Sequence, residues 1–165
     1  MNIETERLII KPLTLDDARR FSEYHDKEEV AMYQSWDEYP LNKAINRIEY
    51  CQKHPFHGQI GNYQFGLYLK ENNQLIGDIF IEIDGHTTFT LGYTLDSVYW
   101  SKGYASEALK SVFKAMHETY SFKICLCHVY EDNIKSINLL ERNGFDKIHK
   151  SWFYQDVLYR KMLNK

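Results

Sequence analysis

A mixed α/β fold around one central, mostly antiparallel sheet is the expectation for this chain of 165 residues. Three observations predict it. Phe89, Leu91, Tyr93 and Leu95 alternate with Thr88, Thr90, Gly92 and Thr94, the period of a strand with one buried face. From Ala105 the period becomes helical. Ala105, Ala108, Leu109, Val112, Phe113 and Met116 form one apolar stripe, and Glu107, Lys110, Lys114 and Glu118 take the wet side. A second strand, Lys123 to Tyr130, follows, so a helix crosses between two strands of the sheet.

The remaining elements follow in chain order. Arg7–Lys11 reads as the first strand. Thr14-Leu15-Asp16-Asp17-Ala18 opens a capped helix that runs to about His25. A second helix, from about Leu41 to Gln52, puts Leu41, Ala44, Ile45 and Ile48 on its inner stripe. Two hairpin-like strands, Tyr63–Leu69 and Leu75–Ile83, are separated by Asn72-Asn73, and Asp84-Gly85 is a tight-hairpin signal before Phe89. In the Lys123–Tyr130 strand, Cys125, Cys127 and Val129 share one face, and Ile124, Leu126, His128 and Tyr130 the other. Ile134, Ile137 and Leu140 are the apolar positions of the last helix, which Asn143-Gly144-Phe145 closes as a left-handed cap. A strand pair from about Lys147 to Leu163 ends the chain.

Composition bounds the function. With 44% hydrophobic residues and no linker or repeat, residues 1–165 are expected to form one domain with a full core. A net charge of −3 without a long basic run argues against a nucleic-acid partner. No apolar stretch approaches the ~18–20 residues of a membrane span. Met1-Asn2-Ile3-Glu4 does not read as the start of a signal peptide, so a cytoplasmic location is expected. Three cysteines, Cys51, Cys125 and Cys127, suit a reducing compartment. Nothing nearby completes Cys125 and Cys127 as a metal half-site, so they read as small buried hydrophobes, and no metal is expected.

Between the Phe89–Leu95 strand and the Ala105 helix lies Ser101-Lys102-Gly103-Tyr104-Ala105-Ser106. Backbone N–H groups at a helix start lack intrahelical partners and carry the positive end of the dipole, which suits a phosphate. Gly103 lets the loop turn tightly and lets a ligand approach. The run from Gly92 to Ala108 resembles the cofactor loop of the GNAT acetyltransferase superfamily, in particular the ribosomal-protein N-terminal acetyltransferases. Their pattern Gly-Tyr-x-Leu-x-x-x-x-Trp-x-x-Gly-x-Ala-x-Glu-Ala is met here. A second family pattern is met by Asn133, Ser136, Leu139, Glu141, Gly144 and Phe145, and Thr5-Glu6-Arg7-Leu8 resembles the family's first strand.

The resemblance implies a sheet of six to seven strands splayed in the middle, flanked by about four helices, with acetyl-CoA as co-substrate. It places the pyrophosphate on the loop amides of Ser101 to Ser106 and the pantetheine arm along Tyr93, Thr94 and Leu95, whose backbone groups act as an extra strand would. Asn133 and Ser136 then meet the other side of the arm. The implied activity is direct N-acetyl transfer to a primary amine, on a protein N-terminus or a small molecule, by a monomer or homodimer. A non-catalytic acyl-CoA sensor is the alternative.

Such transfer needs a base, because an alkylammonium with a pKa of ~8–10.4 is mostly protonated at neutral pH. His128 stands where relatives carry a catalytic glutamate. It is either that base or a packing histidine at the mouth of the sheet. Glu82 is a second candidate base, or a solvent-facing strand residue. The family's usual tyrosine acid position holds Leu140, which leaves Ser136 either to donate to the departing thiolate or to cap its helix. On the acceptor side, the aromatic segment Met32–Pro40 offers Tyr33 and Trp36 as pocket walls.

Overall fold

The computed structural model describes residues 1–150 and 156–163. Its elements are β1 (Ile3–Glu4), β2 (Leu8–Pro12), α1 (Ala18–His25), α2 (Glu28–Ala31), α3 (Leu41–Lys53), β3 (Gly61–Leu69), β4 (Leu75–Ile83) and β5 (Thr88–Leu95). They continue with α4 (Tyr104–Glu118), β6 (Ile124–Tyr130), α5 (Ile134–Arg142), β7 (Asp146–Lys150) and β8 (Asp156–Met162). The sheet has eight strands in the order β1-β2-β3-β4-β5-β6-β8-β7. Its pairs are antiparallel except β5 with β6.

The strand and helix counts each exceed the expectation by one short element. β1 pairs Ile3 with Ile10 and Glu4 with Ile9, too short a run to leave a periodic signal. α2 is a single turn between α1 and the aromatic segment. The helix expected from Leu15 opens as a 3₁₀ turn, Leu15–Asp17, where the Thr14 N–H donates to the Asp17 carboxylate at 2.8 Å. At the far end of α5, Gly144 has φ +79° and the Phe145 N–H reaches Leu140 O at 3.1 Å, so the expected left-handed cap forms.

Each face of the sheet carries its own core. On one, α4 and α5 bury Ala108, Leu109, Val112 and Leu140 against Ile10, Phe65, Ile79, Ile81 and Leu91. Cys125 and Cys127 belong to this layer as buried free thiols. On the other, α1 and α3 bury Phe21, Tyr24, Ala44 and Ile48 with Leu13, Tyr39 and Tyr68. This second layer holds a buried carboxylate, Asp78, which accepts from Tyr24 Oη and Gln64 Nε2, both at 2.6 Å. β7, at the sheet edge, is exposed throughout and carries Asp146, Lys147 and Lys150, charges that discourage edge-to-edge pairing.

Asp96, immediately after β5, fastens the helical layer to the sheet. Its N–H donates to Ile76 O at 2.9 Å, and its buried carboxylate takes Lys27 Nζ at 2.5 Å on one oxygen and the Arg20 guanidinium on the other. Burial alone would raise this carboxyl, but the bonds from Lys27 and Arg20 outweigh it and hold it below the ordinary range. A carboxyl lowered by folding adds stability that is present above its unfolded pKa and lost as pH falls through the folded one. Asp96→Asn should therefore reduce unfolding free energy at pH 7 by about 2–4 kcal/mol. It should also flatten the loss of stability below pH ~4. Urea denaturation of both proteins at pH 7 and at pH 3 measures this, and an equal acid dependence would rule out the Asp96 cluster as its source.

Candidate active site

β5 and β6 are paired only at Thr88–Ile124, Phe89–Cys125 and Thr90–Leu126. Beyond these pairs the strands part and a cleft of about 1080 Å³ opens between them. Leu91 to Leu95 line one side of it, and Cys127 to Tyr130 the other. Because the Asp96 N–H turns back to β4, Leu91, Tyr93 and Leu95 turn their peptide groups toward the cleft. One of these already has a partner. The Trp100 indole N–H donates to Leu95 O at 2.8 Å, which takes one of that carbonyl's two lone pairs.

At one end the cleft runs onto the start of α4, where Ser101, Gly103, Tyr104, Ala105 and Ser106 line it. Ser101 has φ +60° and Gly103 φ +84°, a left-handed pair that turns the chain tightly into the start of α4, whose first N–H groups have no partner within the helix. Lys102 does not line the cleft. Its carbonyl accepts from Arg7 Nη1 at 2.9 Å, and its ammonium lies 5.4 Å from the Tyr99 ring centroid.

Arg7 clamps this loop from behind. Its Nε donates to Glu107 at 2.7 Å, its backbone N–H to the same carboxylate at 2.8 Å, and its guanidinium stacks over Tyr104 at 4.3 Å. Thr5 Oγ1 adds a third bond to Glu107 at 2.6 Å. Burial works against the charge on Glu107, yet the bonds from Thr5 and Arg7 keep its carboxyl below the ordinary value.

On the α5 side, Asn133 Oδ1 accepts the Ser136 N–H at 3.1 Å, so Asn133 is the helix cap. The Ser136 hydroxyl is therefore not spent on capping. It lies 2.5 Å from Tyr93 Oη, across the cleft. Further along, His128 Nδ1 is 3.0 Å from Asp156 Oδ2, with side chains 56% and 27% exposed, and both residues line the cleft. A carboxylate only accepts, so Nδ1 carries the proton and Nε2 is the nitrogen with a lone pair to offer. Met32, Tyr33, Gln34 and Ser35 line the cleft from the α2 side.

The Acetyltransferase (GNAT) domain family matches residues 7–146. This chain belongs to the GNAT acetyltransferase family. Its relatives include an uncharacterized N-acetyltransferase, p20, of Bacillus licheniformis, 28% identical over 146 residues and covering 87% of this chain and 81% of the relative. The ribosomal protein uS5-alanine N-acetyltransferase of Escherichia coli is 24% identical over 155 residues, covering 89% of this chain and 79% of that enzyme. Among solved structures, RimL, a ribosomal L7/L12 α-N-protein acetyltransferase in complex with coenzyme A through a CoA–cysteine disulfide, superposes with a TM-score of 0.83 at 14% identity, over 98% of each chain.

The acetyltransferase thus gathers Tyr93, Thr94, Leu95, Ser101, Gly103, Tyr104, Ala105, Ser106, His128, Asn133, Ser136 and Tyr33 around one cleft. Besides Lys102, two expected residues lie elsewhere. Trp36 packs edge-on against Tyr39 at 5.1 Å and donates its indole N–H to His25 O at 3.1 Å, so it braces the second core. Glu82 is exposed on β4 opposite Thr90 and does not reach the cleft. Sequence reasoning missed Arg7 as a brace and Asp156 as the partner of His128. Among the described residues no group of His, Cys, Asp and Glu is arranged to hold a metal ion.

Gly103 has a specific requirement. A Cβ there would sit 3.2 Å from Arg7 Nη2, on the brace rather than in the cleft, and φ +84° disfavours any L side chain. Gly103→Ala should lower unfolding free energy by about 1–2 kcal/mol. The matched control is Gly85→Ala, where a Cβ meets nothing within 4 Å. It should change stability by less than about 0.5 kcal/mol. Equal urea midpoints for the two variants would show that the loop tolerates a side chain.

Proposed function

We propose that this acetyltransferase moves an acetyl group from acetyl-CoA directly to a primary amine in the cleft between β5 and β6. The observation that carries the reading is the continuity of that cleft. It runs from the exposed amides of α4 past the Tyr93–Ser136 pair to the His128–Asp156 pair. The residues fit the cofactor. The loop amides at Gly103 to Ser106 suit its pyrophosphate, and the Tyr93 peptide edge, left without a partner strand, suits its pantetheine amides. When bound, acetyl-CoA supplies the thioester-activated acetyl group.

His128 Nε2 takes the proton from the incoming ammonium, and Asp156 holds the imidazole so that this nitrogen faces the cleft. Protein N-termini are the acceptor class that the relatives favour, since both the uS5-alanine enzyme and RimL act on ribosomal proteins. The rim is compatible with a peptide, for Met32 and Ile134 line the cleft and are 61% and 57% exposed.

Turnover tests the reading. Thiol release from acetyl-CoA should appear with N-terminal peptides or other primary amines. Tight CoA binding with no release from any amine would instead make the chain a cofactor sensor. His128→Gln should lower kcat/KM at neutral pH by roughly a hundredfold. The variant should regain rate in alkaline buffer, where the amine loses its own proton. Asp156→Asn should cost less, about tenfold, because the base remains while its orientation is weakened. Superimposable pH profiles for wild type and His128→Gln would remove His128 as base.

A further inference from the structure

Ser136 and Tyr93 are 43 residues apart in sequence and meet where the sheet has opened. We propose that the Tyr93 phenol is a positioning residue for acetyl transfer, donating to Ser136 Oγ so that the serine proton is directed at the departing sulfur. This rests on the transfer reading above and extends it to the leaving-group side.

Three observations carry it. The Tyr93 Oη–Ser136 Oγ separation is 2.5 Å, and both residues line the cleft. The cap of α5 is Asn133, which leaves the serine hydroxyl uncommitted to the helix. Leu140 is fully buried in the core and has no proton to offer. A hydroxyl has one proton and two lone pairs, and a phenol is a stronger acid than an alkanol, so the favoured direction is tyrosine to serine. The serine then keeps its own proton for the cleft, and accepting one bond strengthens the one it donates. Burial pushes the Tyr93 hydroxyl above its ordinary pKa, with the Ser136 bond opposing, so the phenol stays protonated wherever the enzyme works.

A thiol, with a pKa near ~8.5, is a stronger acid than this phenol, so Tyr93 does not surrender its proton to the sulfur. The step balances without it. Once His128 has passed the ammonium's first proton on to solvent, the neutral amine nitrogen bonds to the acetyl carbon, its second proton passes to His128 Nε2, and the carbon–sulfur bond breaks with its electron pair on sulfur. The Ser136 O–H holds that thiolate until it takes a proton from solvent on release.

The test combines a kinetic cycle with a measurement on the cofactor-free protein. Ser136→Ala should lower kcat by about thirtyfold and Tyr93→Phe by about fivefold, each leaving the KM for acetyl-CoA within about twofold. The double variant should be no slower than Ser136→Ala, because Tyr93 acts only through the serine. Ser136→Thr, which keeps the hydroxyl, should restore most of the rate. In protein labelled with ¹³C at tyrosine Cζ, the resonance missing from Tyr93→Phe should shift in Ser136→Ala. Additive losses, an unchanged kcat in Tyr93→Phe, or an unmoved resonance would each overturn the proposal. Failure of the transfer reading itself looks different, as wild type would then release no thiol with any amine.

Discussion

The parting of β5 from β6 is the constraint on which the site depends. Parallel pairing stops after Thr90 and Leu126, so among the described residues the β5 edge from Leu91 onward has no strand beside it. A buried, unpaired peptide edge is costly, and a fold that keeps one must satisfy it from inside or leave it for a ligand. This chain does both. The Trp100 indole takes the Leu95 carbonyl, while the Tyr93 peptide group faces the open cleft. Tyr93 and Ser136 then bridge the gap with side chains where the backbone ladder has ended.

A sheet opened at its centre needs bracing on both sides of the opening, and two charge clusters supply it. Arg7, from the first hairpin, grips Lys102, Tyr104 and Glu107 around the start of α4. Asp96 collects Arg20 and Lys27 beneath the far end of β5, and Ser97 Oγ donates to Glu29 at 2.7 Å. Arg7 therefore holds the α4 loop, and Asp96 and Ser97 hold the α1–α2 segment whose neighbours line the cleft. In each cluster hydrogen bonds reinforce the charge attraction, which is the condition for a half-buried ion pair to stabilise.

Legibility in the sequence followed interaction range. The β5-loop-α4 run and the α5 cap could be read because their signals are local: a change of period, a glycine at positive φ, and an apolar residue folding back within one turn. Arg7 and Glu107 are 100 residues apart, and His128 and Asp156 are 28 apart, so no spacing rule joins them. Trp36 shows the opposite error. An aromatic-rich segment suggested a pocket wall, yet only Tyr33 of the expected pair lines the cleft, while Trp36 turns inward onto His25 and Tyr39. Alternation placed Glu82 on a strand correctly but could not say that the α1–α3 face there lies away from the opening.

Two histidine–carboxylate pairs in this chain show how surroundings set a role. His25 Nε2 is 3.1 Å from Asp78 Oδ2, and its Nδ1 is 2.8 Å from Phe21 O, with both side chains at most 2% exposed. The ring is enclosed by Phe21, Tyr24, Trp36 and Tyr39. Both nitrogens are occupied and buried, so this pair joins α1 to β4. Among the described residues, His128 makes the same kind of bond with one nitrogen only, at the mouth of a cleft. An imidazole can act as a base only if one nitrogen is oriented and the other is free to meet a substrate. Of the two pairs, His128–Asp156 alone meets that condition, and it meets it because β6 has left β5 before His128 is reached.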